Sequence, residues 1–238
     1  MTSTPFVWLG SGRARKRGAG RKGHLLDQAA HAGLPVPAGA ILLDAFYQLL
    51  LAEGVIVVVQ NLVTAPDPAW LYETLYQGAR FPRLDKRAAV RAAFSSGAGD
   101  VGGIAPQLDV AMNDPAQVAQ ALCRLWSAAP RVAAPPETRR DLLIMEMVTA
   151  ELAGTALTGP GVAGARVTVT MSPTGKQSLV LPPLGTWQRP SPHLPAYAQR
   201  LQQLLRGLRR TFGQGDWGVA WADDGRICWM LQVWPESG

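Results

Sequence analysis

The sequence is poor in the residues that most metal and disulfide chemistry requires. Its 238 residues include two cysteines and three histidines. Cys123 and Cys228 stand alone inside the apolar runs ALCRLW and RICWML, which predicts buried free thiols rather than a disulfide framework. His24, His31 and His193 have no zinc-ligand spacing with them, and His24 and His31 read as surface residues of a helix. No G-x-S-x-G segment is present, so a hydrolase nucleophile elbow is excluded. No apolar run approaches the ~18 residues of a membrane span, and the start of the chain lacks the apolar core of a signal peptide. The expectation is a soluble, cytoplasmic protein without a membrane span.

Acids are scarce too: 17 Asp and Glu stand against 23 Lys and Arg, a net charge of +6. Two stretches concentrate the excess. Arg13, Arg15, Lys16 and Arg17 lead into Arg21 and Lys22, and Arg200, Arg206, Arg209 and Arg210 occupy a helical stretch with no acid in it. Such patches suit an anionic partner, either nucleic acid or an acidic protein, and equally suit a merely solvated surface. Five tryptophans, Trp187, Trp217, Trp221, Trp229 and Trp234, fall late in the chain, as core residues or as stacking surfaces for bases.

Hydrophobic residues make up 47% of the chain, enough for one large domain or two small subdomains around a cleft. Gly18–Leu43 is the most informative stretch. Gly18, Gly20 and Gly23 bracket Lys22; Leu25, Leu26, Ala29 and Ala30 follow at helical spacing; Gly33 stops the helix; Pro35 and Pro37 force an extended exit into a strand beginning at Ile41. A glycine loop with a lysine at a helix start is a recipe for holding phosphate, though a basic loop before an ordinary helix has the same composition. Elsewhere the pattern predicts a strand at Phe6–Leu9 and a helix capped by Asp44 with Phe46, Leu49 and Leu50 inward. It predicts a buried strand at Val55–Val59, a helix from Asp67-Pro68 to Gly78, and a strand at Ala88–Phe94 with Arg91 at the surface. A helix from Asp114 to Ala128 follows, then hairpins at Val167–Leu181 and around Asp223-Asp224-Gly225, separated by an amphipathic helix at Leu194–Phe212.

GRKGHLLDQAAHAGLPVPAGAILL resembles the opening of the ATP-grasp nucleotide-binding domain of the phosphoenolpyruvate synthase and pyruvate phosphate dikinase family. Three later segments are similar in the same order. Ser95-Ser96 stand in a V-R-S-S-A-type strand, followed by a glycine-rich lid, a short strand at Leu108–Val110 and a long helix. Met147-Val148, Ala150-Glu151, Gly154 and Thr158 fit a hairpin of that family. GVAWADDGRICWMLQVWP resembles its last hairpin. The resemblance implies an α+β, ATP-grasp-like fold of two subdomains with largely antiparallel sheets. It places an N-terminal subdomain at 1–129, with basic loop 10–23 and lid 95–106, a linker at 130–140 and a C-terminal subdomain at 141–238. It implies ATP or another nucleotide as ligand, near Gly20, Lys22, Gly23, Ser95, Ser96, Glu151 and Gln232. Arg13, Arg15, Lys16, Arg17, Arg206, Arg209 and Arg210 are the candidate contacts to an anionic partner.

The same resemblance exposes losses. The family's metal-binding carboxylates on the last hairpin correspond to Gly218 and Ala220, its arginine there to Trp234, and the arginine of V-R-S-S to Phe94. Removing one preorganised charge from such a site costs about 10²–10³ in rate, so losing several leaves no useful turnover. The expectation is a degenerate, non-catalytic nucleotide-binding or scaffold protein that holds no metal. Relocated catalytic groups are the alternative, with Arg91, Asp216, Asp223 and Asp224 as the nearest charges. Glu151 either faces the cleft or sits in a strand turn. The chain also lacks a phosphohistidine domain and a phosphoenolpyruvate/pyruvate barrel, so phosphoenolpyruvate chemistry would need further domains.

Overall fold

The computed structural model describes residues 4–84, 87–96, 99–100, 103–129, 138–159, 164–171 and 175–236. The lid glycines Gly97 and Gly102 and most of the 130–140 linker lie outside them. The chain divides into two compact units, one comprising Met1–Asp27 with Ala38–Met147, the other Gln28–Pro37 with Val148–Gly238. The division falls inside the first helix and after a strand that the sequence pattern assigned to the second subdomain.

The first unit contains β1 (Phe6–Trp8), the start of α1 (Arg21–His31), β2 (Gly39–Leu42), α2 (Asp44–Ala52), β3 (Val57–Val59), β4 (Leu62–Thr64) and α3 (Pro68–Glu73). A π-helical turn, Thr74–Gly78, extends α3. Then come β5 (Ala88–Ala92), β6 (Ser95–Ser96), β7 (Gly99–Asp100), β8 (Gln107–Val110), α4 (Pro115–Trp126) and β9 (Leu142–Glu146). Its antiparallel sheet has the order β1-β2-β9-β5-β8. β9 belongs here because its run of Leu142, Leu143, Ile144 and Met145 is buried on both faces and inserts between β2 and β5. It therefore does not pair with the Ala150–Thr158 segment as the expected hairpin required.

One face of this sheet, with Leu42, Ala88, Val90, Phe94, Leu142 and Ile144, meets α2, α3 and α4 in a single core. Asp67 and Asp114 cap α3 and α4 by accepting their first free N–H groups. Asp44 does not cap α2: Leu43 holds the cap position, and the Asp44 carboxylate accepts the Arg140 N–H instead, at 2.8 Å. Leu49 is exposed, while Phe46, Tyr47 and Leu50 form the buried face. The run expected as a buried strand splits. Val55 and Ile56 enter the core, whereas Val57, Val58 and Val59 form an exposed hairpin strand paired, among the described residues, with β4. Gln60 and Asn61 turn the hairpin with φ of 49° and 66°, the left-handed pair of a tight two-residue turn. The buried Ser127 hydroxyl accepts the Val63 N–H at 2.8 Å and so fastens the hairpin to the end of α4.

The second unit contains β10 (Leu152–Thr158), β11 (Ala165–Met171), β12 (Gly175–Leu181), α5 (Ala196–Phe212), β13 (Trp217–Asp223) and β14 (Cys228–Pro235). These strands form an antiparallel sheet in the order β12-β11-β10-β13-β14. α5 buries Leu201, Leu204, Leu205 and Leu208, and Val167, Val169, Val219, Trp221 and Val233 are among the buried positions of the strands. Cys123 and Cys228 are both free and buried. Arg200 of α5 grips the buried Asp223 carboxylate with two hydrogen bonds, of 2.8 and 2.6 Å. Arg200→Met leaves that carboxylate buried without its counter-ion, so a loss of about 3–5 kcal/mol is expected in urea unfolding. A change under 1 kcal/mol would show that the pair is not structural.

Candidate functional site

In the first unit the site grows from the register of β5 and β9. Ala92 opposes Leu142, and a bridge between Ser95 and Arg139 continues the same pairing beyond the strand ends. Alternation then puts Arg91, Ala93 and Ser95 on one face, together with Arg139, Asp141 and Leu143, while Phe94 points into the core on the other. Phe94 is thus fully buried, so the arginine position of the resemblance is an apolar core position.

The glycine loop lies on the face that carries Ser95 and Asp141. The Gly20 N–H donates to Asp141 Oδ2 at 2.6 Å, and the Asp44 N–H donates to Asp141 Oδ1 at 2.7 Å. A Cβ on Gly20 would fall 2.5 Å from Ser95 Oγ and 3.1 Å from the Ala93 carbonyl oxygen, so only glycine allows this approach. The structure therefore brings Gly20 and Ser95 together. Lys22 and Gly23 lie in the first turn of α1 rather than in the loop. Gly23 serves packing, since a Cβ there would lie 3.2 Å from Ile41. Ser96 is in β6, paired with β7.

Asp141 is buried. Burial pushes its carboxyl above the usual range, and the Gly20 and Asp44 amides and the Arg139 guanidinium, 3.5 Å away, pull it back. A second buried acid, Asp27, folds the basic loop, accepting the Gly12 and Ala14 N–H groups at 3.2 and 2.9 Å. Arg13, Arg15 and Lys16 stay exposed on that loop, and Arg17 donates to the Thr4 hydroxyl. Neither acid stood out in the sequence, because a lone Asp beside polar residues looks like surface.

In the second unit Gly218, Ala220, Gln232 and Trp234 share one sheet face by register. A Cβ on Gly218 would lie 2.1 Å from the Trp234 ring. The indole thus occupies the volume of any side chain at 218, and its N–H donates to Glu236 Oε1 at 2.8 Å. The carboxylates nearest this hairpin have other work. Asp223 holds Arg200 and the Gly225 N–H. Asp224 accepts the Trp229 indole N–H and the Ile227 and Arg226 amides, which together hold its carboxyl at about 2. Glu151 is exposed and lies beside the Gly225 turn, where a Cβ would meet its carboxylate at 2.6 Å.

On α5, Arg206 donates to the Gly185 and Gln188 carbonyl oxygens, Arg209 is half-buried, and Arg210 is exposed. The acid-free helix is thus less available to an anionic polymer than its composition implies. A cavity of about 490 Å³ opens beside Arg166, Thr168, Ser178, Leu157 and Val180, a feature the sequence pattern did not mark.

No protein-family model matches the chain, and no curated protein matches it by sequence. In structure it is similar to solved chains. One is D-alanine–D-alanine ligase from Bacillus anthracis complexed with ATP, at 11% identity and TM-score 0.48, covering 94% of this chain and 56% of that one. Another is an ADP complex of purK, N5-carboxyaminoimidazole ribonucleotide synthetase, at 13% identity and TM-score 0.48, covering 93% and 46%. A third is the ATP-grasp ligase PsnB complexed with precursor peptide PsnA2 and AMPPNP, at 11% identity and TM-score 0.42, covering 94% and 52%. The chain spans about half the length of these proteins.

Asp141→Asn replaces one accepting oxygen by a donor that must face the Gly20 or the Asp44 amide. A loss of about 1–3 kcal/mol in denaturant unfolding is expected from the amide left unpaired. Unaltered stability would mean that the loop is held by something else.

Proposed function

We propose that this chain is a nucleotide-binding protein of ATP-grasp type, a degenerate relative of the phosphoenolpyruvate synthase and pyruvate phosphate dikinase domain, which binds without phosphotransfer and acts as a binding or scaffold protein. The observation that carries the reading is the Trp234 indole filling the space over Gly218. Phosphoryl transfer needs metal ions and cations at the reacting phosphates. In this chain the strand pair that the resemblance assigns to the metal is closed by an indole, and Phe94 is in the core. Asp223 and Asp224, the nearest substitutes, are engaged by Arg200 and by the turn. What persists is the anion-facing part: a glycine loop pinned against Ser95, with Lys22 in the first turn of the following helix.

The ligand is ATP or another nucleotide, and its phosphates are neutralised by protein cations rather than by magnesium. Titration of ATP by calorimetry tests this. Binding should be about equal with magnesium and with a chelator, and Lys22→Ala should weaken it by about 1–3 kcal/mol, the range of a charge-assisted contact. Binding that vanishes with the chelator, or steady release of phosphate from ATP, would reject the reading.

A further inference from the structure

The basic loop before α1 is held in one shape by groups beneath it. Asp27 of α1 accepts the Gly12 N–H at 3.2 Å on one oxygen and the Ala14 N–H at 2.9 Å on the other, and the Ser11 hydroxyl donates to the same carboxylate at 3.4 Å. Asp27 is the first acid of the chain and is buried. Ala14 is buried above it, and the Arg17 and Ala19 N–H groups return to the Arg13 and Ala14 carbonyl oxygens, each at 3.0 Å. The Arg17 guanidinium ties the far end to the Thr4 hydroxyl. Sinking Ala14 leaves Arg13, Arg15 and Lys16 exposed. Among the described residues none of these three side chains has an ion-pair or hydrogen-bond partner. Arg21 is exposed in the first turn of α1, and the Arg139 guanidinium lies against Gly18, where a Cβ would come within 3.8 Å of it. Holding like charges together costs stability, and the carboxylate beneath them binds backbone amides instead of neutralising them. Fixed cations with no acid among them suit a polyanion, which such a field attracts and orients.

Trp8 decides which polyanion. It ends β1, the edge strand of its sheet, at the foot of the loop, where its carbonyl oxygen accepts the Ser11 N–H at 3.3 Å. Its side chain is 48% exposed, and the Phe6 ring meets it edge-on with 6.4 Å between centroids. An indole left in water next to a cationic loop gains from a flat apolar partner. Unpaired bases supply one, whereas the side chains of an acidic peptide do not, and paired bases are already stacked. We propose that Trp8 and the loop cations Arg13, Arg15 and Lys16 form a binding site for single-stranded nucleic acid, with the cations on its phosphates and the indole under a base. The site goes beyond the nucleotide reading and does not depend on it, since Gly20, Lys22 and Ser95 take no part.

The test is fluorescence anisotropy with a short labelled oligothymidylate, an oligouridylate, a DNA duplex of the same length and a polyglutamate peptide, each titrated at low and moderate salt. Wild type should bind one or both single strands, and more tightly than the duplex or the peptide. Its affinity should fall with salt at a log–log slope of about −0.7 per neutralised phosphate. Replacing Arg13, Arg15 and Lys16 together by alanine should weaken binding at least tenfold and flatten that slope by about two. Trp8→Leu, which keeps an apolar side chain on Phe6, should weaken single-strand binding about tenfold, within the range for one base stacked on an aromatic ring, and Trp8→Phe should restore part of it. Unchanged affinity in the triple variant or in Trp8→Leu overturns the inference. So does polyglutamate bound as tightly as the strands, which would mark an acidic protein as the partner. Displacement of the strand by ATP would put it in the nucleotide site and overturn the separate site. Wild type that binds ATP but neither strand removes this inference and leaves the nucleotide reading standing, and binding of a strand without ATP does the reverse.

Discussion

The first unit depends on the Asp141 carboxylate. Its two oxygens accept the Gly20 and Asp44 amides, at 2.6 and 2.7 Å, from a position with no exposure to water. One side chain thereby joins the loop before α1, the start of α2 and the central strand β9. Burying a charge this deeply is unfavourable unless several donors surround it, and two backbone N–H groups plus Arg139 supply them. Gly20 is brought against Ser95, and Arg91 and Arg139 lie on the same face of the sheet.

The second unit shows the other half of the logic. A metal site built from carboxylates costs stability before its metal arrives, since like charges must be held together. Glycine at 218 carries no such cost: it leaves room for the Trp234 indole, which packs over it and donates to Glu236. Phe94 in the first unit is likewise packed entirely into core. Asp223, which sequence reasoning regarded only as a turn residue or a relocated catalytic acid, instead ties α5 to the end of β13 through Arg200.

Much of the architecture was legible because local signals agreed. Asp67-Pro68 and Asp114-Pro115 announce helices that begin where those acids cap them, and Asp224-Gly225 turns the last hairpin. The antiparallel α+β class was implied by the family resemblance. What was hidden depends on long-range register. β9 looks like the first arm of a local hairpin, yet the fold places it between β2 and β5, which are distant in sequence. Val57–Val59 look like core but lack a covering layer. Arg91 looked like surface because nothing local marks a cation for burial. Gly218 and Trp234 read as two unrelated positions, and only their pairing across the hairpin shows the indole filling the space over the glycine.

The central claim is that nucleotide binding persists where metal-dependent transfer does not. A structure of the protein crystallised with ATP and magnesium measures both at once. The account predicts phosphate density at the loop bearing Gly20, beside Ser95 and Lys22, with no octahedral metal at Gly218 or Ala220 and the Trp234 indole in place. A magnesium ion coordinated at the β13–β14 hairpin, with the indole swung aside to admit it, would contradict the account.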